Sequence, residues 1–380
     1  MALKEQHFLS NLTPLRGIAA LLVVTFHFVC VFEHFIDPKS SMFFAKCYLM
    51  VDLFFIMSGF IIYHVYGGIF KQSINKSDWL KYMRARIARI YPLHIITLFV
   101  CVILFQFSPV FIPGVDDPKG IPVNIFMLQS FGVLPIFTFN VPAWSVSAEF
   151  FAYLLFPIIA LGIQKRKLLF IPMILLLITC TYYILAFKLS HAHDAIVIPN
   201  LDITYDYGYL RGAAGFFLGV LFYQFYQNKY LYFLRKDFVV IALILLTCWA
   251  LHANWVDLIL IPLFAFLILS LAYNSGKIKN QFNKKWMQWL GDVSFSVYMI
   301  HVPLMFLMTD MLPYVGITYT RLGSVHLPRW EAGLWCASFL GVTLFISGYS
   351  YKFIEKPMRK LINEKMNPVS LRNLRTVKDN

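Results

Sequence analysis

Residues 12–28 read LTPLRGIAALLVVTFHF, and this stretch decides the fold. With its flanks it is apolar and long enough to enter a bilayer as a helix. It nonetheless carries Arg16 and His27. Both groups are costly in hydrocarbon unless they face protein or water. They lie eleven positions apart. At about 100° per residue that is about three turns, so the two side chains share one face about 16 Å apart. A cation and an imidazole stacked on one side of a membrane helix read as a site. The plainer reading has Arg16 snorkelling to the inner interface and His27 bonding a neighbouring helix. The run is polar at two internal points and lacks a small-residue cleavage site. It therefore reads as a retained span rather than a secretory signal.

The same apolar pattern recurs along the chain. Of 380 residues, 59% are hydrophobic and 14% charged. That excludes a soluble domain and predicts an all-α, polytopic transmembrane helical bundle. About ten spans are expected, at roughly 11–33, 47–68, 90–108, 143–163, 168–187, 208–227, 238–253, 256–273, 291–312 and 331–352. Most of the 33 Lys and Arg fall in the connections 69–89, 164–167, 228–237 and 274–290 and in the two tails. The positive-inside rule places these segments, and both termini, in the cytoplasm. The net charge of +14 is then topology and contact with membrane lipids, and nucleic acid is not expected as a partner. Residues 1–360 read as one membrane domain and 361–380 as a basic cytoplasmic tail. The longest outer loop runs over 108–142, with Pro109, Pro113, Gly114, Pro118, Gly120 and Pro122 at its start. Its piece from Ile121 to Phe139 is short and broken by Gly132 and Pro135, as a re-entrant or interfacial segment would be. The six cysteines form no CxxC pair and read as packing residues.

Further polar residues sit inside apolar runs. In VDLFFIMSGFII (51–62), Asp52 lies at a depth similar to His27. A His–Asp contact would orient the imidazole. The plainer reading has Asp52 cap its helix or pair with Lys46. Ser58 and Gly59 suit close helix packing. In MRARIARIYP (83–92), Arg86 and Arg89 are three apart and point the same way on a helix. Ordinary topology charge or lipid headgroups explain such clusters. The sharper reading is a phosphate-bearing cytoplasmic ligand, which arginine forks suit. VPAWSVSAEFFAYLLFP (141–157) supplies Trp144, Ser145, Ser147 and Glu149. Glu149 falls at about the depth of His27 and Asp52, giving a candidate acid–base cluster. Tyr298 and His301 lie mid-span in LGDVSFSVYMIHVPL (290–304). Arg211 sits at the outer end of the sixth span, and Glu355 reads as a cytoplasmic salt-bridge or cap residue. With no HExxH and no CxxC, and with the His191/His193 pair among apolar and acidic residues, no metal site is expected.

Six of these runs stand together in one known order: LTPLRGIAALLVVTFHF, VDLFFIMSGFII, RARIARIYPLHII, AWSVSAEFFAYLLFP, LGDVSFSVYMIHVPL and YSYKFIEKP. In this the chain resembles the acyltransferase 3 family of integral membrane acyltransferases, which includes bacterial O-antigen and exopolysaccharide O-acetylases. The resemblance spans Leu12 to Pro357. It implies acyl transfer from a cytoplasmic acyl-CoA, most simply acetyl-CoA. The family's Arg-x10-His pattern falls on Arg16 and His27, and its RxxR pattern on Arg86 and Arg89. It implies His27 at the catalytic centre, as base or as transient acyl carrier. It implies a glycan acceptor at the outer face of a cell membrane, the bacterial inner membrane. The family's acidic pair is reduced here to Glu149, since Ala148 precedes it. Some members carry a hydrolase-like domain, which the present length is not expected to hold. On this reading His27, Glu149 and Asp52 do the chemistry, and Arg16, Arg86 and Arg89 hold the donor. Trp144, Ser147, Tyr298 and His301 then meet substrate, one of Ser147, Tyr298 or His301 serving the oxyanion. A non-glycan acceptor such as a macrolide or a lipid, and a proton-coupled glycolipid transporter, remain as alternatives.

Overall fold

Helices form over each of the expected spans because each run is apolar enough for packing to hold it helical, even across the internal prolines Pro92, Pro157, Pro172, Pro262 and Pro303. The computed structural model describes residues 9–32, 40–108, 114–189, 200–317 and 327–365. The first five long helices are α1 (Leu12–Val31), α2 (Met50–Tyr66), α3 (Lys76–Phe107), α5 (Ala143–Lys165) and α6 (Lys167–Ile184). The remaining long ones are α7 (Gly208–Gln227), α8 (Asp237–His252), α9 (Asp257–Tyr273), α12 (Ser294–Met311) and α13 (Arg329–Ser350). Short helices α4 (Gly120–Ile125), α10 (Lys277–Phe282), α11 (Lys285–Asp292) and α14 (Lys356–Lys365) join them. No strand occurs among the described residues. Among the described residues, seven helical stretches are long and apolar enough to cross a membrane. The helices α8 and α9 are apolar but have only 16 and 17 residues, and α7 is diluted by Arg211, Gln224 and Gln227. The expected tail from 366 onward, Pro109, Pro113 and the His191/His193 pair lie outside the described residues.

One boundary departs from expectation by a wide margin. The third span was expected from about residue 90, yet α3 starts at Lys76. The Asn75 side chain caps it, accepting from the Asp78 backbone N–H at 2.9 Å, and the polar turns that follow favour helix as much as loop. Those turns hold Arg86 and Arg89 on a rigid rod rather than on a flexible connection.

Glycines set the closest helix contacts. A Cβ on Gly59 of α2 would lie 1.8 Å from the Phe216 carbonyl oxygen, and one on Gly219 of α7 1.9 Å from that of Ile56. The α2 and α7 backbones therefore touch, as small residues permit in membrane bundles. Gly291 of α11 presses likewise on the Thr13 carbonyl, at 2.0 Å for its absent Cβ. This contact docks α11 against the start of α1 and sets Asp292 among the groups around Arg16. The loop after α4 folds over the other end of α5. Its Met127 carbonyl accepts from Ser147 Oγ at 2.6 Å, and its Ser130 bonds the same hydroxyl at 2.9 Å. Exposed Phe126 and Val133 keep this loop consistent with an interfacial segment.

Candidate active site

A cavity of about 440 Å³ is lined by α1, α2, α3, α5, α11, α12 and α14. That volume is within the range of about 300–1,000 Å³ usual for small-molecule sites. Four arginines line it: Arg16, Arg86, Arg89 and Arg359. Their helices deliver them from the N-terminal turn of α1, the early turns of α3 and the short α14. Arg86 donates to Tyr66 Oη at 3.0 Å and lies over the Tyr66 ring at 4.9 Å. It has no carboxylate partner among the described residues. Arg16 and Arg86 each bury an Nε with no hydrogen-bond partner. Arg89 and Arg359 both meet Glu355, Arg359 at 3.4 Å, and Ser296 donates to the same carboxylate at 3.1 Å.

Deeper in the cavity, Glu149 accepts from Ser58 Oγ at 2.5 Å and from Tyr153 Oη at 2.6 Å. Phe54, Ser145 and Tyr298 also line it. Ser145 and Tyr298 share a hydroxyl–hydroxyl bond of 2.7 Å, and the Phe54 and Tyr298 rings meet edge-on at 5.9 Å. One turn further along α12 stands His301, its ring 5.9 Å from that of Tyr298. His301 in turn meets His27, Nε2 to Nδ1, at 3.2 Å. A polar track thus runs from the arginines through Glu149 and Tyr298 to the paired imidazoles. His27 and His301 themselves do not line the cavity wall.

The structure joins some of the expected site residues and separates others. Arg16, Arg86, Arg89, Glu149 and Tyr298 share one cavity, as expected. Asp52 does not orient His27. It is fully buried and grips Arg211 of α7 through both oxygens, at 3.1 Å to Nε and 2.5 Å to Nη2. The alternative pairing with Lys46 fails too, because Lys46 holds Asp257 at 2.7 Å. No hydrogen bond links His27 to Asp52 or Glu149 among the described residues. Trp144 is buried beneath Arg211, 5.3 Å from its guanidinium, and Ser147 is spent on the outer loop. Neither lines the cavity. Glu355 is the salt-bridge residue expected. Ser58, expected only to ease packing, bonds Glu149. Tyr66, Tyr153, Asp292 and Arg359 were missed as cavity residues. The spacing of Glu149 to Tyr153, one helical turn, was the available signal for one of them.

Comparisons with known proteins give the family. The family model Acyl_transf_3, described as an acyltransferase domain, matches residues 10–352. The chain is 23% identical over 388 aligned residues to the peptidoglycan O-acetyltransferase OatA of Listeria monocytogenes, covering 94% of this chain and 56% of that protein. It is 32% identical over 157 residues to the acyltransferase MdmB of Streptomyces mycarofaciens, covering 40% and 38%. A putative acetyltransferase of Acidianus two-tailed virus matches at 25% identity, covering 82% of this chain and 87% of its own length. The matches span well under two thirds of both OatA and MdmB. No solved structure matches the chain.

Proposed function

Because the chain belongs to the acyltransferase 3 family, we propose that it is a membrane O-acyltransferase that moves an acetyl group from cytoplasmic acetyl-CoA to a hydroxyl of a cell-surface glycan. The acceptor class is lipopolysaccharide O-antigen or exopolysaccharide, and the setting is the bacterial inner membrane. The observation that carries the reading is the arginine-lined cavity, whose Tyr298 leads through His301 to His27. Arg16 and Arg86 line it, and guanidinium forks suit the phosphates of a CoA ester. Arg359 adds a third cation. Arg89, already held by Glu355, contributes field more than a free fork. The positive-inside rule puts these arginines on the cytoplasmic side, where the donor is made. The similarity to a peptidoglycan O-acetyltransferase favours a sugar hydroxyl over a macrolide or lipid acceptor.

In the proposed step His27 Nε2 takes the proton of the acceptor hydroxyl as its oxygen attacks the thioester carbonyl. The carbon–sulfur bond breaks, and His27 returns the proton to the departing thiolate. Tyr298 Oη and Ser145 Oγ are hydroxyls on the track; both donate to the Pro142 carbonyl, at 3.1 and 3.0 Å, and one would turn from it to meet the developing oxyanion. The test is transfer of label from radiolabelled acetyl-CoA to glycan by the full chain in membrane vesicles. Labelled glycan is expected, and His27→Ala should remove it at equal expression. Glycan that crosses the vesicle membrane without covalent label would instead identify a transporter.

A further inference from the structure

We infer that His301 is a positioning residue that holds His27 with its Nε2 lone pair free, in the place where a carboxylate would be sought. The inference rests on the transfer reaction proposed above. Backbone carbonyls only accept hydrogen bonds, so a ring nitrogen facing one must carry a proton. His27 Nδ1 faces the Val23 carbonyl at 3.0 Å, and His301 Nδ1 faces that of Val297 at 3.2 Å. Both imidazoles therefore carry their proton on Nδ1. His301 Nε2 is then a bare acceptor, and it lies 3.2 Å from His27 Nδ1. The His27 proton is shared between Val23 and His301, and nothing among the described residues bonds His27 Nε2. His301 is fully buried, so its ring is a fixed stop and not a mobile solvent-side group. When His27 gains a proton at Nε2, its Nδ1–H becomes a stronger donor to the waiting lone pair of His301. The arrangement orients the base and offsets its positive charge without a buried carboxylate, which is why Asp52 and Glu149 are free to serve elsewhere.

The test compares His301→Leu and His301→Gln in the vesicle assay with radiolabelled acetyl-CoA. Leucine offers no acceptor, whereas the glutamine oxygen reaches the place of Nε2. His301→Leu should lower kcat about 10- to 100-fold with KM for acetyl-CoA unchanged, and His301→Gln should recover most of it. A purely packing role would predict equal loss in both variants, and that result overturns the inference. Full activity in His301→Leu, with His27→Ala inactive, also overturns it while leaving the acyltransferase reading intact. Full activity in His27→Ala removes the reading itself. A readout free of turnover comes from the unmutated protein with 15N-labelled histidine. It should show coupling across the His27 Nδ1–H···Nε2 His301 bond, and absence of that coupling counts against the inference.

Discussion

At the scale of single residues, the buried pair Asp52–Arg211 shows how chemistry-bearing side chains can serve the fold instead. Each is almost completely buried, and Arg211 also reaches the Ile203 carbonyl at 3.2 Å. Removing one member strands a charge in the bundle, which costs about 3–5 kcal/mol. Arg211→Met should therefore lower the thermal midpoint of the detergent-solubilised protein sharply. Asp52→Leu added to Arg211→Met should restore part of it, because the stranded carboxylate is then gone. An Asp52→Asn variant that keeps wild-type stability but loses turnover would return Asp52 to the active site. Which residues mattered was legible from polarity inside apolar runs, and Asp52, Arg211, Glu149 and His27 all stood out that way. Their partners were not legible. Depth along a span can be counted from sequence, but rotation about the helix axis relative to other helices cannot. Asp52 and His27 match in depth, yet the face of α2 that carries Asp52 turns to α7.

At the scale of elements, the decisive contact is α2 against α7. Gly59 and Gly219 leave no room for a side chain between the two backbones. The neighbour in each case is a backbone carbonyl, which cannot rotate away. Gly219→Ala should cost about 1–3 kcal/mol as overpacking and lower the melting temperature. Gly341 on α13 has nothing within 4 Å of its absent Cβ, so Gly341→Ala provides the control and should be tolerated. Equal behaviour of the two variants would show that the α2–α7 approach carries no special weight. Helix existence was readable from the apolar runs across all the expected spans. The early turns of α3, with α10 and α11, were not. They lie in basic stretches such as MRARIAR and KKWMQWLGD, where charge argued for a cytoplasmic connection and a connection can equally be helical. The missed turns matter, since they carry Arg86, Arg89 and Asp292 into the cavity.

At the scale of the whole molecule, the cavity joins the two ends of the chain. Arg16 stands near its start and Arg359 near its end, and no local pattern could have announced their meeting. Glu355 is the link. Only 2% exposed, it holds Arg89 of α3 and Arg359 of α14 together while accepting from Ser296 of α12. Without a donor phosphate present, this single carboxylate is what balances the two cations at that end of the cavity. Glu355→Gln keeps the shape and removes the charge. The empty protein should then be less stable, because Arg89 and Arg359 repel each other across a partly desolvated space. A polyanion should compensate in its place. Added CoA should thus raise the melting temperature of Glu355→Gln by more than it raises that of the unmutated protein, since a ligand that binds only the folded state stabilises in proportion to its affinity. The larger shift should shrink with added salt, as partly exposed charges are screened over about 8–10 Å at ordinary ionic strength. An identical CoA shift in both proteins would mean that Arg89 and Arg359 do not face the donor, and the phosphate end of the cavity would have to be sought around Arg16 and Arg86 alone.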